Sequence, residues 1–183
     1  MKLVSKTAAQ TKALAAKIAH KILRTKNSKL KTATVVALVG DLGAGKTTFV
    51  QGFAKALGVK HKVNSPTFLI MRPYPIKATR NKRQETRDKR QATSDKKQET
   101  RNKRQETRDK KQETSFKLFV HVDVYRINKI SELENLHFKH VLEQPENIVV
   151  IEWADKIKRI VPKDAIWLHF SHGRTEKERL IAD

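Results

Sequence analysis

Eight residues constrain this chain more than any others: Gly40-Asp41-Leu42-Gly43-Ala44-Gly45-Lys46-Thr47. They fit G-x-x-x-x-G-K-[ST], a phosphate-binding loop, and each residue type has a physical reason to stand where it does. Gly40, Gly43 and Gly45 let the backbone curl tightly and turn its N–H groups inward onto phosphate oxygens. Lys46 is spaced to reach β- and γ-phosphates, and the Thr47 hydroxyl to ligate Mg²⁺. A helix that begins here also points the positive end of its dipole at the anion. The flanks agree with this reading. Val35-Val36-Ala37-Leu38-Val39 is an unbroken apolar run that reads as a strand buried on both faces. Phe49, Val50, Phe53, Ala54 and Leu57 share one helical face, and Gly58 supplies a stop.

The chain has 183 residues, one domain's worth, and the reading is a single domain over 1–183. Hydrophobic residues make up 38%, below the usual ~45–50% of a globular chain. The shortfall has a local cause. From Arg80 to Thr114 the sequence reads RNKRQET, RDKRQAT, SDKKQET, RNKRQET, RDKKQET, a seven-residue unit repeated five times. A coiled coil needs apolar a and d positions, and the only apolar side chain in this tract is Ala92. The tract therefore has no seam to bury and adds nothing to a core. It holds 14 basic and 7 acidic residues, +7 of the total, which leaves +14 elsewhere. Glu85 and Lys89, Glu99 and Lys103, and Glu106 and Lys110 form favourable i,i+4 pairs, while Thr with Asn or Asp in every unit works against helix. The expectation for 80–114 is a repetitive basic insertion, solvated, partly helical or disordered.

No cysteine is present, which excludes disulfides and cysteine metal sites and fits a reducing, cytoplasmic setting. No apolar run approaches the ~18 residues of a membrane span. The net charge of +21 fits an anionic partner, nucleic acid first, and equally a solvated lysine-rich surface.

Along the rest of the chain, Leu14, Ile18 and Ile22 sit four apart with Ala15 and Ala19 beside them, which predicts an amphipathic helix from about Thr7 to Leu23. A mitochondrial presequence has similar composition, but Arg24 is the single arginine here and the loop strand follows almost at once. In Asn64-Ser65-Pro66-Thr67-Phe68-Leu69-Ile70-Met71, Pro66 keeps Ser65 out of helical geometry and an apolar strand is expected to follow. The hydroxyls of Ser65 and Thr67 read either as functional groups or as ordinary turn caps. Phe116 to Arg126 reads as a strand whose apolar run ends on Asp123, in the manner of a Walker B element. An aspartate at that edge can hold Mg²⁺, usually through water. His121 within it reads as a packed or edge histidine.

Ser131-Glu132-Leu133-Glu134 fits a capping box before a helix carrying Leu133, Leu136, Val141 and Leu142. Asn147 to Ile151 is a second strand, ending in Glu152-Trp153. Two strands then finish in acids at the edge of the sheet where open α/β proteins bind ligands. Glu152 either orients or deprotonates a water there, or caps the next helix as a surface acid. Ala165 to Phe170 and Arg179 to Ala182 read as closing strands with His172-Gly173 in the turn. The sum is a P-loop NTPase three-layer α/β fold with a largely parallel central sheet, carrying a low-complexity insertion.

GDLGAGKTTF, SPTF, HVDVYR and IEW, in this order and spacing, resemble the TsaE family, the bacterial ATPases of tRNA threonylcarbamoyladenosine biosynthesis. The resemblance covers about Thr11 to Arg179 outside the repeat. It implies ATP hydrolysis, with ATP and Mg²⁺ as cofactors. The nucleotide is expected on Thr11, Asp41, Leu42, Gly43, Ala44, Gly45, Lys46, Thr47, Thr48 and Trp153. Thr11 matches a threonine that opens the family's first helix. The metal is expected on Thr47, Asp123 and Thr67, and catalysis on Lys46, Asp123 and Glu152. The implied partners are TsaD-like and TsaB-like proteins, with tRNA reached indirectly and some electrostatic contact through the basic surface. His137 stands where the family commonly has a glycine after leucine, and the repeat interrupts a normally short connection. The main alternative is a small P-loop metabolite kinase, although a kinase lid places a few arginines at a hinge rather than in a monotonous repeat. A nonenzymatic RNA-binding module is disfavoured because the tract has no stacking aromatics. A GTPase is disfavoured because Asn128-Lys129 continues as Ile130-Ser131 rather than into N-K-x-D.

Overall fold

Residues 2–24, 30–76, 116–175 and 178–183 are described by a computed structural model. Their elements run β1 (Lys2–Ser5), α1 (Ala8–Leu23), β2 (Thr34–Gly40), α2 (Lys46–Ala56), β3 (Met71–Pro75) and β4 (Leu118–Asp123). There follow α3 (Ser131–Glu134), α4 (Phe138–Glu143), β5 (Asn147–Glu152), a 3-10 turn (Ala154–Ile157), β6 (Ile166–His172) and β7 (Arg179–Ala182). The expectation for 80–114 lies outside the described residues.

The seven strands form one sheet in the order β1-β7-β6-β2-β5-β4-β3. The central four, β6, β2, β5 and β4, are parallel, and both margins are closed by antiparallel strands. The continuous apolar runs follow from this position, because a central parallel strand is covered on both faces. Alternate residues of β2 go to opposite cores. Val36 and Leu38 join Leu14, Ile22, Phe49 and Phe53 under α1 and α2. Val35, Ala37 and Val39 join Leu133, Phe138, Leu142 and Ile157 on the other side. The expected three-layer α/β architecture is thus present. Phe49 and Phe53 are fully buried, and truncating either to alanine would cost about 3–5 kcal/mol. Among the described residues no helix is long and apolar enough to cross a membrane.

The helix ends follow local chemistry. The Thr7 side chain accepts the Gln10 N–H at 3.2 Å and opens α1, a cap worth about 1 kcal/mol. Beyond α2, Gly58 takes φ 80°. Its N–H donates to the Lys55 carbonyl, and that of Val59 to the Ala54 carbonyl, both at 3.1 Å. This is the left-handed helix stop the glycine predicts.

Five expectations need correction, the smallest being that β6 runs on through His172 instead of leaving it in the turn. The chain after Pro66 turns rather than extends, and β3 starts only at Met71, leaving Phe68 and Leu69 exposed. The strand over 116–126 is confined to Leu118–Asp123, after which the backbone leaves the sheet. Ser131 does not cap; it is already helical behind Ile130. The Glu132 carboxylate accepts the N–H groups of Lys129 and Asn128 instead, at 2.9 and 3.0 Å, and these bonds hold its carboxyl below the ordinary range. The helix over 131–142 is split in two at His137, which adopts φ 53° at the head of α4. The backbone there keeps a conformation that suits glycine although the residue is histidine. The marginal strand β1 has no counterpart in the sequence reading.

Candidate active site

The strand order brings the reading's acids to the phosphate-binding loop. Glu152 at the end of β5 is in register with Leu38 of β2, and Asp123 at the end of β4 is in register with Glu152. β5 lies between the other two, so Glu152 is the acid next to the loop and Asp123 is one strand further out.

The loop is shaped by left-handed backbone at Gly40, Gly43 and Gly45, with φ of 122°, 74° and 97°. A Cβ at Gly40 would run into the carbonyl of Phe170 on β6, so this position needs glycine for close approach as well as for its dihedral. The β6–β7 hairpin braces the loop from the side: His172 Nε2 donates to the Leu42 carbonyl at 3.0 Å and Arg179 Nε to the Gly43 carbonyl at 3.1 Å. Lys46 opens α2 and folds back over the loop. Its Nζ donates to the Gly40 and Asp41 carbonyls at 2.6 and 2.8 Å and stands 3.7 Å from the centroid of the Trp153 ring. Burial pushes the ammonium below its ordinary pKa, against the opposing pull of Glu152, Asp123, Asp41 and Asp155.

Two hydroxyl–carboxylate pairs line the floor. Thr47 Oγ1 donates to Glu152, 2.9 Å from Oε2 and 3.2 Å from Oε1, and Oε1 is also 2.8 Å from His121 Nε2. Thr67 Oγ1 donates to Asp123 Oδ2 at 2.6 Å, the Ser65 hydroxyl donates to the same oxygen, and the Tyr125 N–H donates to Oδ1 at 3.0 Å. Glu152 is 2% exposed, so the surface-acid alternative for it is set aside. Trp153 turns out of β5 with φ 62° and faces Tyr125, ring centroids 5.0 Å apart. Apart from His121, which lies behind Glu152, these groups surround a cleft of about 390 Å³.

Of the residues singled out from sequence, Leu42, Gly43, Gly45, Lys46, Thr47, Thr48, Thr67, Asp123, Glu152 and Trp153 all line this cleft. Asp41 contributes its carbonyl to Lys46, and Ala44 is packed into the core beneath the loop. Thr11 is not among the lining residues. It sits one turn into the helix that Thr7 opens, buried, with its hydroxyl 2.8 Å from Ser5 Oγ. Sequence reasoning missed His121 as a partner of Glu152 and the bracing by His172 and Arg179. Strand alternation held the signal for the first, since His121 and Asp123 are two apart and share a face.

The family model described as threonylcarbamoyl adenosine biosynthesis protein TsaE matches residues 5–83 and 106–181. The chain belongs to the TsaE family. The stretch between the two matched segments falls inside the heptad tract. The chain is similar to the tRNA threonylcarbamoyladenosine biosynthesis protein TsaE of Borreliella burgdorferi, 27% identical over 133 residues, which is 73% of this chain and 69% of that protein. The Haemophilus influenzae protein of the same name is 26% identical over 140 residues, 76% of this chain and 64% of that one. A shorter match to the Bacillus subtilis protein of that name is 59% identical over 44 residues and spans 28% of its length. A crystal structure of Bacillus subtilis YdiB shares the fold, with a TM-score of 0.56 at 24% identity over 99% of this chain and 82% of that one.

Proposed function

We propose that this chain is an ATP hydrolase of tRNA threonylcarbamoyladenosine biosynthesis, working in the cytoplasm on Mg²⁺ and ATP with TsaD-like and TsaB-like proteins as partners. The observation that carries this reading is the meeting, in one cleft, of Lys46 and Thr47 from the loop with Glu152 and Asp123 from two neighbouring strands.

The residues fit the ligands. The Lys46 ammonium bonds two neutral carbonyls of its own loop, and charged phosphate oxygens are stronger acceptors for it. The cleft's volume is within the range of small-molecule sites. Thr47, Asp123 and Thr67 offer oxygen donors only, the set that Mg²⁺ prefers. When bound, Mg²⁺ supplies neutralisation of charge on the phosphoryl group. Glu152 is the carboxylate beside Thr47 and the group suited to orient or deprotonate a water. Trp153 and Tyr125 form an aromatic wall next to Lys46. The tRNA is reached through the partner proteins, with the basic surface adding a salt-dependent attraction.

The test combines the chain with TsaD-like and TsaB-like proteins and follows phosphate release from ATP with and without EDTA. The expected result is inorganic phosphate, abolished by chelation, together with co-purification of the TsaD-like protein. A γ-phosphate recovered on a metabolite would establish the kinase alternative instead.

A further inference from the structure

Among the described residues, two buried side-chain polar atoms have no hydrogen-bond partner, the Tyr74 hydroxyl and His121 Nδ1. His121 is completely buried in β4 and does not line the cleft. Its ring is held flat in a column, stacked on Phe119 at 6.5 Å and 17°, which is stacked in turn on Tyr74 at 5.8 Å and 23°. That packing fixes the imidazole so that Nε2 meets Glu152 Oε1 at 2.8 Å, with the two side chains 0% and 3% exposed.

The unpartnered nitrogen decides which way this bond runs. A proton on Nδ1 would be a buried donor with no acceptor, whereas a bare Nδ1 leaves only a lone pair unmet. The tautomer that fits carries its proton on Nε2 and donates it to the carboxylate. Glu152 is then held at Oε1 from behind, while Oε2 stays 2.9 Å from Thr47 Oγ1 at the cleft floor. A carboxylate bonded only to Thr47 would be free to rotate about its terminal bond whenever that hydroxyl changed partner, because such torsions have broad minima.

We propose that His121 is a positioning residue: its Nε2–H fixes the rotation of the Glu152 carboxylate and keeps Oε2 aimed at the cleft. The proposal rests on the reading of Glu152 as the group that handles water. A histidine that merely filled space would affect stability alone.

His121→Phe keeps the ring and its stack on Phe119 but removes the donor. His121→Gln returns an amide N–H near the place of Nε2. With the partner proteins present, His121→Phe should slow ATP hydrolysis about 10- to 100-fold, the cost of a misplaced reacting group, with ATP affinity unchanged by calorimetry. His121→Gln should recover most of the rate. Wild-type hydrolysis in His121→Phe, or no recovery in His121→Gln, overturns the proposal. Long-range ¹H–¹⁵N spectra of the nucleotide-free chain give a second readout that needs no activity. The proton should sit on Nε2, and its resonance should move in Glu152→Gln. A proton on Nδ1, or a signal indifferent to Glu152→Gln, overturns the proposal even for a chain that hydrolyses nothing. Absence of hydrolysis in the wild type would instead remove the proposed function.

Discussion

The phosphate-binding loop and the turn from Ser65 to Ile70 face each other across the cleft, and each presents a threonine to a carboxylate. They reach that arrangement by opposite means. In the loop, all three left-handed positions are glycines, so its shape is the one its own sequence prefers. In the turn, the left-handed residue is Ile70, φ 62°, a β-branched side chain for which that region is a genuine outlier. The Ile70 N–H donates to the Pro66 carbonyl at 2.6 Å, its carbonyl accepts from the Asp123 N–H at 2.8 Å, and Ser65 and Thr67 both bond the Asp123 carboxylate. The loop is anchored beneath by Ala44 and Phe49, both fully buried, whereas the turn carries Phe68 at 83% exposure. The loop is pre-shaped by its residues; the turn is shaped by Asp123. Strain of this kind is maintained only where surrounding bonds over-determine it, and it concentrates at functional sites.

The largest test of this contrast removes the loop's cation. Lys46→Ala should weaken ATP binding by at least about 100-fold in calorimetry, since charge-assisted bonds to phosphate contribute ~1.5–3 kcal/mol apiece. The same lysine sets a pH limit. Burial holds its free ammonium below the ordinary lysine range, so the proton is lost earlier as pH rises. ATP affinity should therefore fall on the alkaline side before an ordinary lysine would titrate. Next come the two acids. Glu152→Gln should lower hydrolysis by about 10²–10⁴-fold while keeping ATP affinity, whereas Asp123→Asn should chiefly raise the Mg²⁺ concentration needed for activity. Identical phenotypes would mean that the two hydroxyl–carboxylate pairs are interchangeable.

Smaller effects probe the backbone directly. A Cβ at Gly43 has room, its nearest neighbour being 3.7 Å away, so Gly43→Ala should cost only the left-handed penalty of about 1–2 kcal/mol. Ile70→Gly should be more stable than Ile70→Ala by about 0.5–1 kcal/mol: both lose the side chain that packs on the core, but only glycine relieves the left-handed backbone, net of its greater freedom in the unfolded chain. Equal stability of the two variants by denaturant titration would show that the turn is not strained. The smallest change is expected from replacing Arg80 to Thr114 with a short Gly/Ser turn. The tract has one apolar side chain, so little burial is lost, and loop closure changes by only ~0.6 kcal/mol per doubling of length. Melting temperature and ATP affinity should hardly move, and tRNA association at low salt should weaken.

The same contrast explains what could be read from the sequence. The loop, its strand and its helix were legible because glycine, lysine and apolar periodicity act over a few residues. The acids at the ends of β4 and β5 were legible as the ends of apolar runs. Their partners were harder to see: Thr67 bonds Asp123 across 56 residues and His121 bonds Glu152 across 31, and the second pairing depends on β5 lying beside β4. Local propensity gave no sign of left-handed backbone at Ile70 or Trp153, since tertiary contacts rather than residue type impose it, whereas at His137 the glycine that the family commonly carries was the sign. Thr11 was singled out by resemblance alone and has no local pattern to place it; its hydroxyl is 2.8 Å from Ser5 Oγ, one turn into α1.

The contact between Lys46 and Trp153 has a spectroscopic consequence. A cation pressed on an indole face perturbs the electrons that absorb and emit light, so the ring registers where the ammonium is. When phosphate draws Lys46 away, the emission of Trp153 should change in unlabelled protein on the timescale of mixing. The chain has one other tryptophan, Trp167 in β6, and Trp167→Phe would leave a single tryptophan, lining the cleft, to be excited selectively over the tyrosines.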